Sequence, residues 1–162
     1  EVDGQRYCVR NRKNLSKTAD LLATVSNNLS QLVAHMKQKF SKRKFVIRLV
    51  ENFDPSAIQE TLPTDTYLAY TENKGDKISC CTTKEQDGDE LIDINTLTYV
   101  AIHELAHIAS KSIGHTDEFW KNFRKLLIEA VRIKVYESVD YSIKPVEFGG
   151  RDITENILFE DD

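Results

Sequence analysis

The sequence predicts an α+β fold with segregated helices and a small, mostly antiparallel twisted sheet. Three observations carry this. A long helical period of apolar residues occupies the first quarter of the chain. Two β-type segments flank a glycine-containing turn in the middle. Two further helical stretches follow, one mostly apolar and one amphipathic.

The length of 162 residues suits one domain over 1–162, with an N-terminal arm (1–13) and a C-terminal tail (145–162), and is enough to bury a core. Charged residues make up 30% and hydrophobic residues 40%, the balance of a globular protein. The net charge of −4 gives no global argument for nucleic acid or an anionic membrane; such a partner needs a local basic patch. No apolar run approaches the ~20 residues of a membrane span. The three cysteines, Cys8, Cys80 and Cys81, are an odd number and two are adjacent, which argues against a disulfide framework. Reduced thiols and an intracellular setting follow. The chain starts at Glu1 rather than Met, which leaves room for a removed targeting or anchor segment.

Leu15, Ala19, Leu22, Val25, Leu29, Leu32, Met36 and Phe40 step by three and four, which predicts a helix ending near residue 39, with Ser16 as its N-cap. Lys37, Lys39, Lys42, Arg43 and Lys44 cluster at its end, where cations suit the helix dipole. Phe45–Val50 reads as a buried strand. Residues 51–66, with Pro55 and Pro63, read as a loop. Thr66–Thr71 and Lys77–Thr82 read as a hairpin with Gly75 in the turn. Lys84–Glu90 is an acidic loop. A second helix is expected from about Asp93 to Ser110, capped by Asp93 or Asn95 and stopped at Gly114 in a left-handed conformation. Thr116 then opens a third helix, with Asp117 and Glu118 in its first turn and Phe119, Trp120, Phe123, Leu126, Leu127, Ala130 and Val131 as its apolar stripe. The tail after Pro145 is expected to wrap the surface.

The chemistry concentrates in His103-Glu104-Leu105-Ala106-His107 and in His115 beyond it. Two histidines four apart share one helix face and can reach one metal ion, while Glu104 borders that face without chelating. A catalytic zinc takes three protein ligands and keeps an open position. His115, directly after the Gly114 break, is the candidate third ligand; Asp117, Glu118 and Glu129 are the alternatives. Chance alone yields such a pattern in roughly one in a hundred chains of this composition. An incidental origin must also place unpartnered histidines and a glutamate in a mostly apolar helix, which is costly without a metal. A structural zinc would need a fourth ligand, for which Cys80 or Cys81 is available. Met36 is the only methionine, so a Met-turn after the motif is ruled out, and with it the metzincin pattern. His35 reads as a surface residue.

The combination of the HELAH stretch, a glycine break and His115-Thr-Asp-Glu-Phe-Trp120 resembles the WLM and SprT-like zincin metallopeptidases. More closely, residues 70–146 resemble WLM-like proteins of giant DNA viruses. Asn73-Lys-Gly-Asp-Lys-Ile78, Asp93-Ile-Asn-Thr-Leu97, Asn122-Phe-Arg-Lys-Leu-Leu127 and Asp140-Tyr-Ser-Ile-Lys-Pro-Val146 carry that similarity. The resemblance implies a minimal zincin fold: a backing helix, a short sheet, an active-site helix and a C-terminal helix. It implies Zn²⁺ held by His103, His107 and His115, with Glu104 as general base in peptide-bond hydrolysis. It also implies a viral protein of the host cytoplasm or virion. The gap to the third histidine is wider here than in cellular WLM proteins. Cellular members cleave proteins crosslinked to DNA, so a DNA-associated protease is an alternative, supported in the sequence by the Lys37–Lys44 cluster with Arg10, Arg12, Lys13 and Lys17. A non-catalytic, metal-stabilised virion or interaction protein is another. By the same analogy, Lys77–Thr82 is the strand expected to pair with a protein or peptide substrate.

An oxyanion donor is also needed. Tyr141 is the candidate, with Tyr136 second. Phe119 and Trp120 are expected to pack α-helix on α-helix and hold His115. Asp117 or Asp140 is expected to accept the second N–H of a ligand histidine.

Overall fold

The computed structural model describes residues 15–60, 69–72, 74–84, 90–148 and 151–153. Among these, four helices and a small mixed sheet form the α+β architecture read from the sequence. The helices are α1 (Leu15–Lys39), α2 (Lys44–Asn52), α3 (Ile94–Ala109) and α4 (Asp117–Arg132). The strands are β1 (Ile58–Glu60), β2 (Ala69–Glu72), β3 (Lys77–Cys80), β4 (Val146–Phe148) and β5 (Arg151–Ile153).

α3 lies at the centre, touching α1, α2, α4, β2 and β3. Its sequence dictates that place: Leu97, Ile102, Leu105, Ala106 and Ala109 are fully buried, leaving little polar surface to face water. Each large aliphatic side chain so buried contributes about 1.5–3 kcal/mol. Around it, α1 supplies Leu22, Leu29, Leu32 and Met36, and α4 supplies Phe119, Phe123, Leu126 and Leu127. Both stripes match the periods in the sequence.

The Phe45–Val50 segment is helical, not a strand. Phe45, Val46 and Leu49 are buried while Ile47 is 42% exposed. That spacing is helical; a strand would put Phe45, Ile47 and Leu49 on one face. Ser16 is not the cap of α1, because the helix already contains Leu15. β1 arises within the expected 51–66 loop, after a one-turn 3₁₀ helix at Pro55–Ala57 whose Asp54 cap accepts from Ser56 N.

The hairpin forms as expected: β2 and β3 pair antiparallel, Tyr70 opposite Ser79. β1 adds to the other side of β3 in parallel, Gln59 opposite Ser79. The order is β1-β3-β2, so the sheet is mixed and β3 is its middle strand. At the hairpin turn Gly75 has φ +128°, and a Cβ there would lie 2.2 Å from the Asn52 carbonyl oxygen. The turn is thereby seated on the end of α2. After α4, β4 and β5 form a two-stranded antiparallel pair where a surface-wrapping tail was expected. Residues 1–14, 61–68, 85–89 and 154–162 lie outside the described set, and with them Cys8, Arg10, Arg12 and Lys13.

Candidate metal centre

α3 begins at Asp93, whose carboxylate accepts from Thr96 N at 2.9 Å; of the two cap candidates, Asp93 holds the position. Asn95 instead bridges to the backbone of Glu137, donating to its oxygen at 2.9 Å and accepting from its nitrogen at 2.8 Å. Three turns on, His103 and His107 stand on one face, ring centroids 5.0 Å apart. The helix ends at Ala109 with Ser110 as its C-cap, as expected from the sequence, but Gly114 lies beyond it in a loop at φ +86° rather than at the helix C-terminus. The left-handed glycine turns the chain so that His115 returns over α3. Its ring centroid is 5.1 Å from that of His103 and 5.0 Å from that of His107.

Ligand atoms of the three imidazoles all lie within 4.8 Å of one another. The Nε2 atoms of His103 and His115 are 3.1 Å apart. His103 Nδ1 is 3.2 Å from Glu104 Oε1, which suits the tautomer that protonates Nδ1 and directs the Nε2 lone pair to the cluster. Burial first, then His103, His115 and Lys74, pushes the His107 pKa down to about 3. Its imidazole is therefore neutral, the form that binds a metal.

α4 buttresses the cluster. Thr116 caps it, accepting from Phe119 N at 3.2 Å, as the sequence indicated. Phe119 is fully buried and its ring stacks on His107 with centroids 4.3 Å apart. Trp120 stacks on His115 at 5.6 Å.

The histidines open onto a cleft of about 550 Å³, in the range of small-ligand and peptide sites. His103, Glu104 and His107 form its floor, Ala69–Thr71 and Lys74 one wall, and Ile113–His115 the other. The bordering strand is thus β2. Lys77–Thr82, the expected substrate-pairing segment, falls on the middle strand, whose hydrogen-bonding edges are taken by β1 and β2. Among the described residues, the strand on the cleft side of the sheet is its hairpin partner β2.

Other candidates fall elsewhere. Tyr141 is 1% exposed and outside the cleft lining; its ring packs tilted against Tyr99 with centroids 4.8 Å apart, and it accepts a hydrogen bond from Tyr136 Oη at 3.3 Å. Cys80 and Cys81 are buried and are not part of the histidine cluster. Asp140 accepts from Ser142 N and Oγ rather than from a histidine. Glu118 accepts from Lys111 N and Ser112 N, and Glu129, near the C-terminal end of α4, accepts from Arg132. His35 is not merely a surface residue: its Nε2 lies 3.0 Å from Glu129 Oε1. The exposed basic run Lys42–Lys44 lies at the α1–α2 junction. Ile113, at the cleft, carried no signal in the sequence beyond sitting beside a turn glycine, and Lys74, also at the cleft, stood within the Asn73–Ile78 stretch of the resemblance without an assigned role.

The chain belongs to the WLM domain family, whose model matches residues 5–157. Protein R325 of Acanthamoeba polyphaga mimivirus is 28% identical over 162 residues, covering 98% of this chain and 82% of the viral one. Protein 042R of Invertebrate iridescent virus 3 is 39% identical over 69 residues, covering 43% of this chain and 42% of its own. The structure of the Wss1 E203Q mutant from S. pombe superposes with a TM-score of 0.51 at 18% identity, covering 76% of this chain and 94% of the other, a likeness of fold. No described helix is long and apolar enough to cross a membrane.

Proposed function

We propose that this chain is a zinc-dependent peptidase of the WLM family. The observation that carries it is the convergence of His103, His107 and His115 within 4.8 Å at the floor of an open cleft, with Glu104 beside them. Three imidazoles and an open side are the donor set of a catalytic zinc; a structural site would be closed by a fourth protein ligand. His103, His107 and His115 would hold the ion. Zinc bound there would supply a Lewis acid and bring the pKa of a water to about 7.

Glu104 acts as the general base, taking the proton of the attacking water and returning it to the departing amine. It is positioned for this by α3, which puts it on the cleft floor next to, but rotated from, the ligand face. The substrate backbone lies along β2, whose outward edge at Ala69–Thr71 borders the cleft and can add a strand of peptide. Ile113, 88% exposed on the opposite wall, offers apolar contact to a substrate side chain. The viral relatives support a role in infected host cells.

The test is metal content with activity. His103→Ala and His107→Ala should each lose stoichiometric zinc and peptide cleavage together. Retention of tight zinc by both variants would refute the ligand set.

A further inference from the structure

His115 must be brought to the cluster by a seven-residue bridge, Ile108–Gly114, with no regular structure after Ala109. The bridge is nevertheless held at three of its residues, Ala109, Lys111 and Ser112, by side chains from three other elements.

Lys74, in the β2–β3 turn, donates from Nζ to His107 O and to Ser112 O, both at 2.8 Å. One ammonium thus joins the end of α3 to the middle of the bridge. Arg48, on α2, donates from Nη1 to Ala109 O at 3.2 Å. Glu118, in the first turn of α4, accepts from Lys111 N at 3.0 Å, and from Ser112 N at 2.8 Å and Ser112 Oγ at 2.6 Å. Arg48 Nη1 is also 3.7 Å from Glu118 Oε2, so the arms are linked.

These contacts satisfy groups that a helix end and a loop otherwise leave to water. Charge assistance makes each bond stronger than a neutral one. The anchoring points are themselves fixed. Lys74 has φ +55°, a left-handed conformation uncommon outside glycine, and the next residue, Gly75, is pressed on Asn52. A lysine on a loose turn would not meet that description.

We propose that Lys74, Arg48 and Glu118 form a clamp that sets the position of His115 relative to His103 and His107. They are positioning residues: none is a ligand, and each acts through the backbone of the bridge. The clamp is how this chain closes a wide ligand gap without a continuous helix. The inference rests on His115 being a ligand, as in the function proposed above.

The test uses the full chain stripped of metal and titrated with Co²⁺, for wild type, Lys74→Met, Lys74→Arg and Glu118→Ala. Cobalt affinity is measured by chelator competition, the ligand-field bands report geometry, and metal-free melting reports folding. Lys74→Met and Glu118→Ala should each weaken cobalt by about 10- to 100-fold, the range for residues that orient ligands. Their bands should shift, metal-free melting of Lys74→Met should stay near wild type while that of Glu118→Ala falls by the stability its carboxylate supplies, and Lys74→Arg should recover most of the affinity. Unchanged affinity and bands in both variants overturn the clamp while leaving the ligands intact. Loss of affinity that only tracks a lowered melting point also overturns it, since that is a purely structural role. Should Lys74→Met not fold, Glu118→Ala, on a different element, decides. Failure of wild type itself to take up cobalt overturns the ligand reading and the clamp with it.

Discussion

Glu104 on α3 and Glu129 on α4 are both buried, at 2% and 0% exposure, yet their surroundings are opposite. Glu129 is ringed by partners: His35 Nε2 at 3.0 Å and the cations Arg132 Nη1 at 2.7 Å, Lys39 Nζ at 3.6 Å and Lys125 Nζ at 3.9 Å. Although burial is the largest influence and opposes ionisation, His35 and these charges together hold its carboxyl below the usual glutamate range. Glu104 faces a cleft, with His103 Nδ1 at 3.2 Å and the imidazole cluster beside it. A carboxylate saturated by partners ties α1 to α4. A carboxylate at a cleft floor can be reached by a substrate, as the proposed general-base role requires. Residue type and burial do not separate the two roles; partners and access do.

The largest expected effect breaks this contrast at the chemistry. Glu104→Gln should lower peptide hydrolysis by about 10²–10⁴-fold, the worth of a positioned general base, while Glu129→Gln leaves the rate per folded molecule near wild type. Steady-state cleavage normalised to folded protein checks both. The second effect reverses the order. Glu129→Gln should cost about 1–3 kcal/mol in urea unfolding, towards the low end because Lys39 and Arg132 are half-exposed. Glu104→Gln should cost less.

The third concerns pH. In the metal-free chain His107 stays neutral down to about 3, whereas in the unfolded chain it takes a proton below about 6.5. The unfolded state therefore binds more protons between those values, and stability falls as pH drops through that window. Glu118, held at about 2 by its hydrogen bonds from Ser112 and Lys111 against 4.5 unfolded, adds stability that is lost between pH 4.5 and 2. His107→Gln should remove the upper part of the acid limb and spare the lower, read by melting temperature against pH. The smallest effect is Thr116→Ala, which deletes the α4 cap and should cost about 1 kcal/mol by the same unfolding assay.

Much of this was legible in the chain because it is periodic. α1 and α4 carry long amphipathic stripes, and the β2–β3 turn carries Gly75 between alternating segments. Phe45–Val50 misled because a six-residue apolar run fits either a strand or a short helix. β1 was hidden in a proline-containing stretch with Ile58 as its one strongly apolar residue, and its pairing with β3 is set by tertiary packing. At the site, the histidines were visible because helix spacing fixes who shares a face. The cleft-facing strand was misassigned because which strand of a hairpin is the edge depends on where β1 inserts. The contact of Lys74 is not legible in the sequence, because it lies 33 residues from His107 and binds a backbone oxygen, which every residue offers.

The most direct test of the account compares chelator-stripped wild type and Glu104→Gln after zinc is returned. The account predicts that both take up a single zinc with equal affinity and that only the wild type regains peptide cleavage. Cleavage by the stripped wild-type protein without zinc, or by zinc-loaded Glu104→Gln at the wild-type rate, would contradict it.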